Sequence, residues 1–153
     1  MKSDSLFQKI ERFTFLIILV NIIGYIASSY MTSDTQVWYQ SLPHSSLNPP
    51  NYIFAIVWGF LLFLQAVSAF LVWGKATPRW FVIQLALNML WSFTFFYLRL
   101  PAIALLIVLL FILALIMNIK SFYKANHAAG ILLIPTLLWT LFAIYLNAII
   151  VFN

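Results

Sequence analysis

The sequence predicts an all-α membrane protein, a bundle of five transmembrane helices that forms one domain over residues 1–153. Hydrophobic residues occupy 65% of the positions and charged residues only 7%, whereas soluble domains are about 45–50% apolar. The mean hydropathy is +1.03. The apolar residues fall in long runs, each close to the roughly 20 residues that a helix needs to cross the hydrocarbon of a bilayer.

The predicted helices follow these runs in order, at about 13–30, 51–73, 78–98, 101–119 and 128–152. Prolines precede or open the second, third and fourth helices. At these positions the missing N–H does not matter, because backbone N–H groups of the first turn have no intrahelical acceptor. Pro135 lies inside the fifth run, where it removes a backbone hydrogen bond and clashes with the carbonyl of Ile131. We therefore expect a kink in the fifth helix.

The first run has a second interpretation as a cleaved signal peptide, because basic residues precede it and small residues end it. Its apolar part is longer than a usual signal-peptide core and contains Asn21. Both features favour a packed membrane helix.

The basic residues predict the orientation in the membrane. All of them except Arg99 fall on one side of the predicted spans: Lys2, Lys9, Arg12, Lys75, Arg79, Lys120 and Lys124. The positive-inside rule then places the N-terminus in the cytoplasm and the C-terminus outside, and we expect a bacterial cytoplasmic membrane. Orientation and lipid headgroups account for the net charge of +5, so no nucleic acid is implied.

The predicted spans do not contain the residues that several classes of catalytic site require. The carboxylates Asp4, Glu11 and Asp34 all lie outside the spans, and the chain has no cysteine. This argues against a proton relay, a paired-carboxylate hydrolase and a cysteine-based metal site. His44 and His127 fall on opposite sides of the predicted membrane, so we expect no bound metal and no required cofactor. The alternative for His44 is to ligate a haem iron as a single axial ligand.

The longest connection, residues 31–48, shows no helical periodicity and carries polar and aromatic side chains. Long loops in compact bundles are often lids or binding loops. We expect a lid on the outer face, with a mobile tether between the first two helices as the alternative.

Aromatic and amide side chains recur at helical spacing inside the spans, where lipid offers no hydrogen-bond partner. At 1.5 Å per residue, Trp58 and Trp91 lie roughly 8–10 Å, Asn88 about 14 Å and Trp139 about 20 Å below the outer surface. We expect the first, second, third and fifth helices to converge there on a single cavity. The stripes are Asn21, Tyr25 and Ser28; Phe54, Trp58 and Gln65; Gln84, Asn88, Trp91 and Phe95; and Pro135, Trp139, Phe142 and Ala143.

Each stripe has a structural alternative. Asn21, Gln65 and Gln84 could hydrogen-bond helix to helix instead of contacting a ligand, and Trp38, Trp73 and Trp80 could be interfacial anchors. The fourth helix has no polar side chain from Ala102 to Met117, so we expect it to face lipid or a second subunit.

Taken in order, the motifs of residues 14–150 resemble the TspO/MBR family, the tryptophan-rich sensory or translocator proteins. They are Trp38-Tyr39 with Ser41-Leu42, Asn48-Pro49-Pro50, Phe54 with Trp58, Leu71-Val72-Trp73, Gln84 to Asn88 with Trp91, Phe95-Phe96, Pro135, Leu138-Trp139, Phe142-Ala143 and Leu146-Asn147. Their number and spacing make the resemblance specific.

The resemblance implies a five-helix bundle, commonly a homodimer, whose cavity is closed by the loop between the first two helices. Family members bind porphyrins, haem and, in some cases, sterols or benzodiazepine-type compounds. The positions implied to contact ligand are Trp38, Tyr39, Pro49, Pro50, Phe54, Trp58, Asn88, Trp91, Phe95, Trp139, Phe142 and Ala143. Trp58 and Trp139 match the two tryptophans implicated in light-dependent porphyrin breakdown by some members.

The sequence also departs from the family pattern. His44-Ser45-Ser46-Leu47 replaces a lid segment that often carries a lysine and a tryptophan, which leaves the lid contacts open. No basic residue follows Tyr145, so the sterol-recognition pattern of some animal members is absent.

Three functions follow as hypotheses. The first is a membrane receptor or carrier that binds porphyrin, haem or a related hydrophobic ligand in an aromatic pocket. The second is a light-dependent enzyme that degrades protoporphyrin through Trp58 and Trp139. The third is a small-metabolite transporter without proton coupling.

Overall fold

The protein is all-helical throughout the part that the computed structural model describes, residues 5–153. The helices are α1 Leu6–Ser29, α2 Ser33–Gln40, α3 Asn51–Leu71, α4 Arg79–Ser92, α5 Pro101–Ala125, α6 His127–Ile131 and α7 Ile134–Phe152. A π-helical turn, Phe93–Tyr97, extends α4. Five stretches are long and apolar enough to span a membrane: Leu6–Ser29, Asn51–Leu71, Arg79–Tyr97, Pro101–Ala125 and His127–Phe152. The predicted fold class is confirmed.

The first helix begins earlier than residue 13, where its apolar run starts. Ser5 and Gln8 form a capping box, in which Gln8 N donates to Ser5 Oγ at 3.3 Å and Ser5 N donates to Gln8 Oε1 at 3.0 Å. These two bonds satisfy backbone donors that would otherwise be unpaired at the start of the helix. The capping residues therefore set the start of α1, and the apolar run begins one to two turns later.

The connection of residues 31–48 contains a short helix, α2, which its lack of helical periodicity did not indicate. Thr32 caps α2 by accepting a hydrogen bond from the backbone N of Thr35 at 3.2 Å. The helix is only 8 residues long, too short for a helical period to stand out from its mostly polar sequence. Cap and tertiary contacts, rather than amphipathic pattern, stabilise it.

The fifth span is interrupted where Pro135 predicts a kink. α6 ends at Ile131 and α7 begins at Ile134, with Pro135 in its first turn. The missing N–H of proline is harmless at that position. The chain therefore crosses as two helical pieces with the break just before the proline.

Aromatic contacts show how the ends of the spans meet. Phe13 packs on Phe70 at 5.4 Å between ring centroids, and Phe81 stacks on Phe122 at 5.9 Å. The start of α1 therefore lies beside the end of α3, and the start of α4 beside the end of α5. This end carries Lys9, Arg12, Lys75, Arg79, Lys120 and Lys124 and is called the basic end below. The opposite end, which holds residues 31–48, is called the lid end.

α5 does not lie wholly toward lipid, so that expectation was wrong for one of its faces. Ala104, Val108, Phe111 and Leu115 are buried at 0–1% exposure, and α5 packs against α4 and α7. Small and β-branched residues on this stripe allow the close helix contact. The other face, which includes Leu106 and Leu113, is exposed.

One glycine is required by helix packing. A Cβ atom at Gly130 would lie 2.5 Å from Tyr123 Cβ and 2.8 Å from Tyr123 Cα, whereas a Cβ atom at Gly59 would meet nothing within 4 Å. We expect Gly130→Ala to lower the free energy of unfolding by about 1–3 kcal/mol, because the backbone of α5 must shift. Thermal unfolding in detergent measures this.

Gly59→Ala is the matched control. It should leave stability unchanged or slightly raised, since alanine favours a helix over glycine by about 1 kcal/mol. Equal melting temperatures for Gly130→Ala and wild type would contradict the close packing of α6 on α5.

Candidate ligand-binding cavities

A cavity of about 720 Å³, here called the larger cavity, lies between α1, α3 and α4. Its aromatic lining consists of Phe13, Tyr25, Phe54, Trp58, Phe63, Trp91 and Phe96. Tyr25 is 76% exposed and Phe63 47%, so the cavity opens on the outer surface of the bundle between α1 and α3. Because these helices are candidate spans, the opening faces hydrocarbon.

The lining of this cavity is uncharged over the described residues, and its polar groups are amides and hydroxyls: Asn21, Ser28, Asn51, Asn88 and Ser92. Asn21 and Ser28 bond to carbonyls of their own helix, and Ser92 Oγ donates to the carbonyl of Ala27 at 3.2 Å. Asn88 is 7% exposed. Its carboxamide supplies a donor and an acceptor to the cavity wall.

The smaller cavity, of about 30 Å³, lies at the lid end. Tyr39, Phe95, Ala143, Leu146 and Asn147 contribute to its walls. Met31, Asn51, Phe54, Trp91 and Phe96 line both cavities.

The expected single cavity is therefore divided in two, and that expectation was wrong. The rings of Phe54, Trp91 and Phe96 stand between the two spaces. Trp91 contacts Phe96 edge-on at 6.1 Å. α7 reaches only the smaller cavity, because the aromatic partition separates it from α1.

The π-helical turn places two consecutive rings inward. Phe95 and Phe96 lie edge-to-face at 4.8 Å, and Phe95 is also 5.9 Å from Trp91. The extra residue per turn, seen in the bond from Leu98 N to Phe93 O at 3.0 Å, lets both rings point inward. Phe96 lines both cavities, and Phe95 lines the smaller one. Such turns often occur at functional sites.

Asn147 joins three helices behind the partition. It is 2% exposed, its Oδ1 accepts from Trp91 Nε1 at 3.3 Å, and its Nδ2 donates to the carbonyl of Pro101 at 2.9 Å. One amide thus holds the Trp91 indole and adds a hydrogen bond to a carbonyl at the start of α5. Asn147 belongs to the Leu146-Asn147 motif, whose sequence does not indicate this role.

Tyr39 holds the lid over the smaller cavity. It is 6% exposed, contacts the rings of Phe95 and Phe96, and donates its hydroxyl to Asn48 Oδ1 at 3.0 Å. Burial raises the pKa of the Tyr39 hydroxyl, and the bond to Asn48 partly offsets that rise. The hydroxyl therefore remains a donor at neutral pH.

The diverged part of the lid makes its own contacts. His44 Nε2 donates to the carbonyl of Tyr39 at 2.8 Å, and Ser45 Oγ is 2.9 Å from the Tyr145 hydroxyl on α7. The nitrogen that bonds the carbonyl carries a proton, so it cannot also ligate a haem iron in this conformation.

Trp38, Pro49 and Pro50 line neither cavity. Trp38 packs edge-on against Phe95 at 5.8 Å, and the Arg99 guanidinium lies 5.7 Å from the Trp38 ring. Pro49 is partly buried, and Pro50 is exposed at the N-cap of α3. Trp38 thus packs against the bundle and is more than an interfacial anchor.

Trp139 and Phe142 line neither cavity. Trp139 contacts Phe54 at 5.7 Å and Phe142 at 5.5 Å, and its buried Nε1 has no hydrogen-bond partner. Trp58 instead lies on the larger cavity, tilted against Trp91 at 6.4 Å. Phe54 is the ring that connects Trp139 to the cavity walls.

Gln65 and Gln84 hydrogen-bond one helix to another. Of the two roles considered for them, contact between helices and contact with a ligand, the structure shows the first. Gln84 Nε2 donates to Gln65 Oε1 at 3.0 Å, and neither residue lines a cavity. Asn118 on α5 is also fully buried. Sequence reasoning missed it, although a lone amide in an apolar helix is itself a signal.

Comparison with known proteins connects this geometry to a family. Residues 16–152 match the profile of the TspO/MBR family. The chain belongs to that family. Family membership together with five apolar helices makes it an integral multi-pass membrane protein.

The TspO/MBR relatives come from distant organisms. The chain is 35% identical to the tryptophan-rich protein TspO of Archaeoglobus fulgidus over 140 residues, which covers 86% of this chain and 89% of the relative. It is 33% identical to the tryptophan-rich sensory protein of Cereibacter sphaeroides over 115 residues, 72% of each chain. It is 28% identical to the translocator protein of Bos taurus over 139 residues, 85% and 82% of the two chains.

The Asn147 bridge yields a stability prediction. Asn147→Leu removes the partner of Trp91 Nε1 and one of the hydrogen bonds to the Pro101 carbonyl, and the buried indole N–H is left unpaired. We expect a loss of about 1–3 kcal/mol in the free energy of unfolding, together with a change in the near-ultraviolet circular dichroism of tryptophan.

Asn21→Leu serves as the control, because Asn21 is exposed and bonds only to the carbonyl of Ile17 in its own helix at 2.8 Å. It should unfold like the wild type. If Asn147→Leu were as stable as Asn21→Leu, the bridge between α4, α5 and α7 would have no energetic role.

Proposed function

We propose that this TspO/MBR protein is a membrane receptor or carrier for porphyrin, haem or a related flat hydrophobic ligand. The observation that carries the proposal is the 720 Å³ cavity, within the roughly 300–1,000 Å³ usual for small-molecule sites. Its walls combine aromatic rings with the amide of Asn88 and no charged side chain among the described residues.

A planar macrocycle matches these walls. Trp58 and Trp91 present tilted rings to the cavity, and indoles stack well on extended π-systems in offset geometry. Asn88 can pair with a neutral donor or acceptor such as a pyrrole nitrogen. The acidic substituents of a porphyrin would then lie toward the lid end, where Arg99 is the basic residue among the described ones.

Entry from the bilayer is part of the proposal. The cavity mouth lies between α1 and α3 and is flanked by the exposed residues Tyr25 and Phe63. A hydrophobic ligand dissolved in hydrocarbon reaches that mouth without crossing the lid. The lid contacts of Tyr39 then serve to close the outer end.

The binding role has more structural support than light-dependent breakdown by both tryptophans. Trp58 is on the cavity wall, whereas Phe54 stands between Trp139 and the cavity. Replacing either tryptophan by phenylalanine would abolish a light-dependent product if both take part. The names of the relatives, sensory and translocator proteins, agree with binding or transport of a ligand.

The proposal extends to a homodimer in a bacterial cytoplasmic membrane. The outer face of α5, with Leu106, Leu110 and Leu113 exposed, is apolar enough to meet either lipid or a second copy. Cross-linking in native membranes distinguishes the two.

Titration with protoporphyrin in the dark tests the binding function. Wild-type protein in detergent should show saturable tryptophan quenching together with a shift of the porphyrin absorption band. Trp58→Leu should weaken binding by about threefold to tenfold, because one stacked ring is lost. Trp139→Leu should weaken it less, since its ring lies behind Phe54.

Trp80→Leu is the control for quenching by a tryptophan at the basic end, where the Arg79 guanidinium lies 4.6 Å from the Trp80 ring. Linear partitioning of porphyrin into wild-type protein, equal to that of empty micelles, would refute the tetrapyrrole proposal.

Filling the cavity provides a second test. Gly59 lines the larger cavity, and a Cβ atom there meets nothing within 4 Å. We expect Gly59→Leu to abolish saturable binding while the melting temperature stays near that of Gly59→Ala. Unchanged affinity in Gly59→Leu would place the ligand elsewhere.

A further inference from the structure

A buried polar layer lies toward the basic end of the bundle, apart from both cavities. It comprises Gln65, Gln84, Asn118 and Thr136, which are 0–1% exposed. None of them lines either cavity. Burying an amide among apolar side chains is unfavourable unless its hydrogen bonds are made, so the partners of each atom matter.

Part of the layer is paired within the protein. Gln84 Nε2 donates to Gln65 Oε1 at 3.0 Å, and Gln65 Nε2 reaches Thr136 Oγ1 at 3.5 Å. These bonds connect α4, α3 and α7. Gln84 Oε1 is buried and has no partner in the protein.

Asn118 on α5 is the residue of this layer whose side chain makes no hydrogen bond within the protein. Both Asn118 Nδ2 and Asn118 Oδ1 are buried without a partner in the protein. Orphaned polar atoms are uncommon in folded proteins, and two on one fully buried side chain call for an explanation.

The helix register places the unpaired atoms at one level. Phe81 of α4 and Phe122 of α5 stack with an interplanar angle of 27°, and the two helices run in opposite directions. Gln84 lies one turn along α4 from Phe81, and Asn118 lies one turn back along α5 from Phe122. Both amides are thus on the facing sides of the same seam.

The chemistry of the unpaired atoms selects a ligand. They comprise one amide NH₂ group and two carbonyl oxygens. A water molecule donates two hydrogen bonds and accepts others, and buried waters typically make about three such bonds. A cation would be coordinated by the oxygens alone and would leave Asn118 Nδ2 unpaired.

We propose that a water molecule binds between Gln84 and Asn118. It accepts from Asn118 Nδ2, donates to Gln84 Oε1, and links α5 to the hydrogen-bonded layer of α3, α4 and α7. This hydration site is independent of the ligand proposed for the larger cavity. It ties α5, otherwise held at this level by apolar contacts, into the polar network of its neighbours.

A crystal structure of the wild-type protein at about 2 Å or better tests the site directly. We expect a density peak within hydrogen-bond distance, roughly 2.7–3.2 Å, of both Gln84 Oε1 and the Asn118 amide. Direct contact between the two amides would overturn the proposal. So would an ion held only by the oxygens, or an empty seam.

Stability provides a second, independent readout. With a bridging water, Asn118→Leu strands Gln84 Oε1 and should lower the melting temperature by about 3–10 °C. Without one, the substitution removes an unpaired amide and should raise it. Met117→Leu, at an exposed position beside Asn118 on α5, controls for the substitution and should behave as wild type.

The double variant Gln84→Leu/Asn118→Leu measures the coupling. If the two amides share one water, the double variant should lose less stability than the two single variants lose together. Strict additivity, or a raised melting temperature in Asn118→Leu, would overturn the proposal.

Discussion

Hydrocarbon offers no hydrogen-bond partner, and the arrangement of this bundle follows from that constraint. Every polar side chain placed inside the spans must find a partner in another helix, in its own backbone or in a bound molecule. Asn147 meets the requirement completely, through Trp91 and the carbonyl of Pro101. Because Trp91 is also a wall of both cavities, pairing of one amide sets the position of a ring that a ligand would contact.

The two ends of the bundle satisfy the constraint differently. Toward the basic end, Gln65, Gln84 and Thr136 are packed tightly and pair with one another. In the larger cavity, Asn88 is buried on a wall whose other side chains are mostly apolar. A polar group that faces open space is available to a ligand, whereas one within a packed seam contributes to stability. This contrast supports a ligand site on the Asn88 side of the bundle.

Particular residues show where sequence reasoning succeeded and where it failed. The spans could be predicted because transfer to lipid depends on local composition and length. The break before Pro135 could also be predicted, since proline acts on its own backbone. α2 was missed because an 8-residue helix depends on its Thr32 cap and on tertiary contacts. The buried face of α5 was missed because an all-apolar helix carries no mark of which side meets protein.

The sequence alone determined the membrane class, the five spans, the separation of basic residues to one end and the supply of rings and amides within the spans. These depend on composition and on the helical period, which are local properties. Only the tertiary structure decided that Phe54, Trp91 and Phe96 divide the interior into two cavities, that Trp139 lies behind Phe54, and that Asn118 is buried without a protein partner. Those outcomes depend on the rotation of each helix against its neighbours, which is set by long-range packing that no single segment encodes.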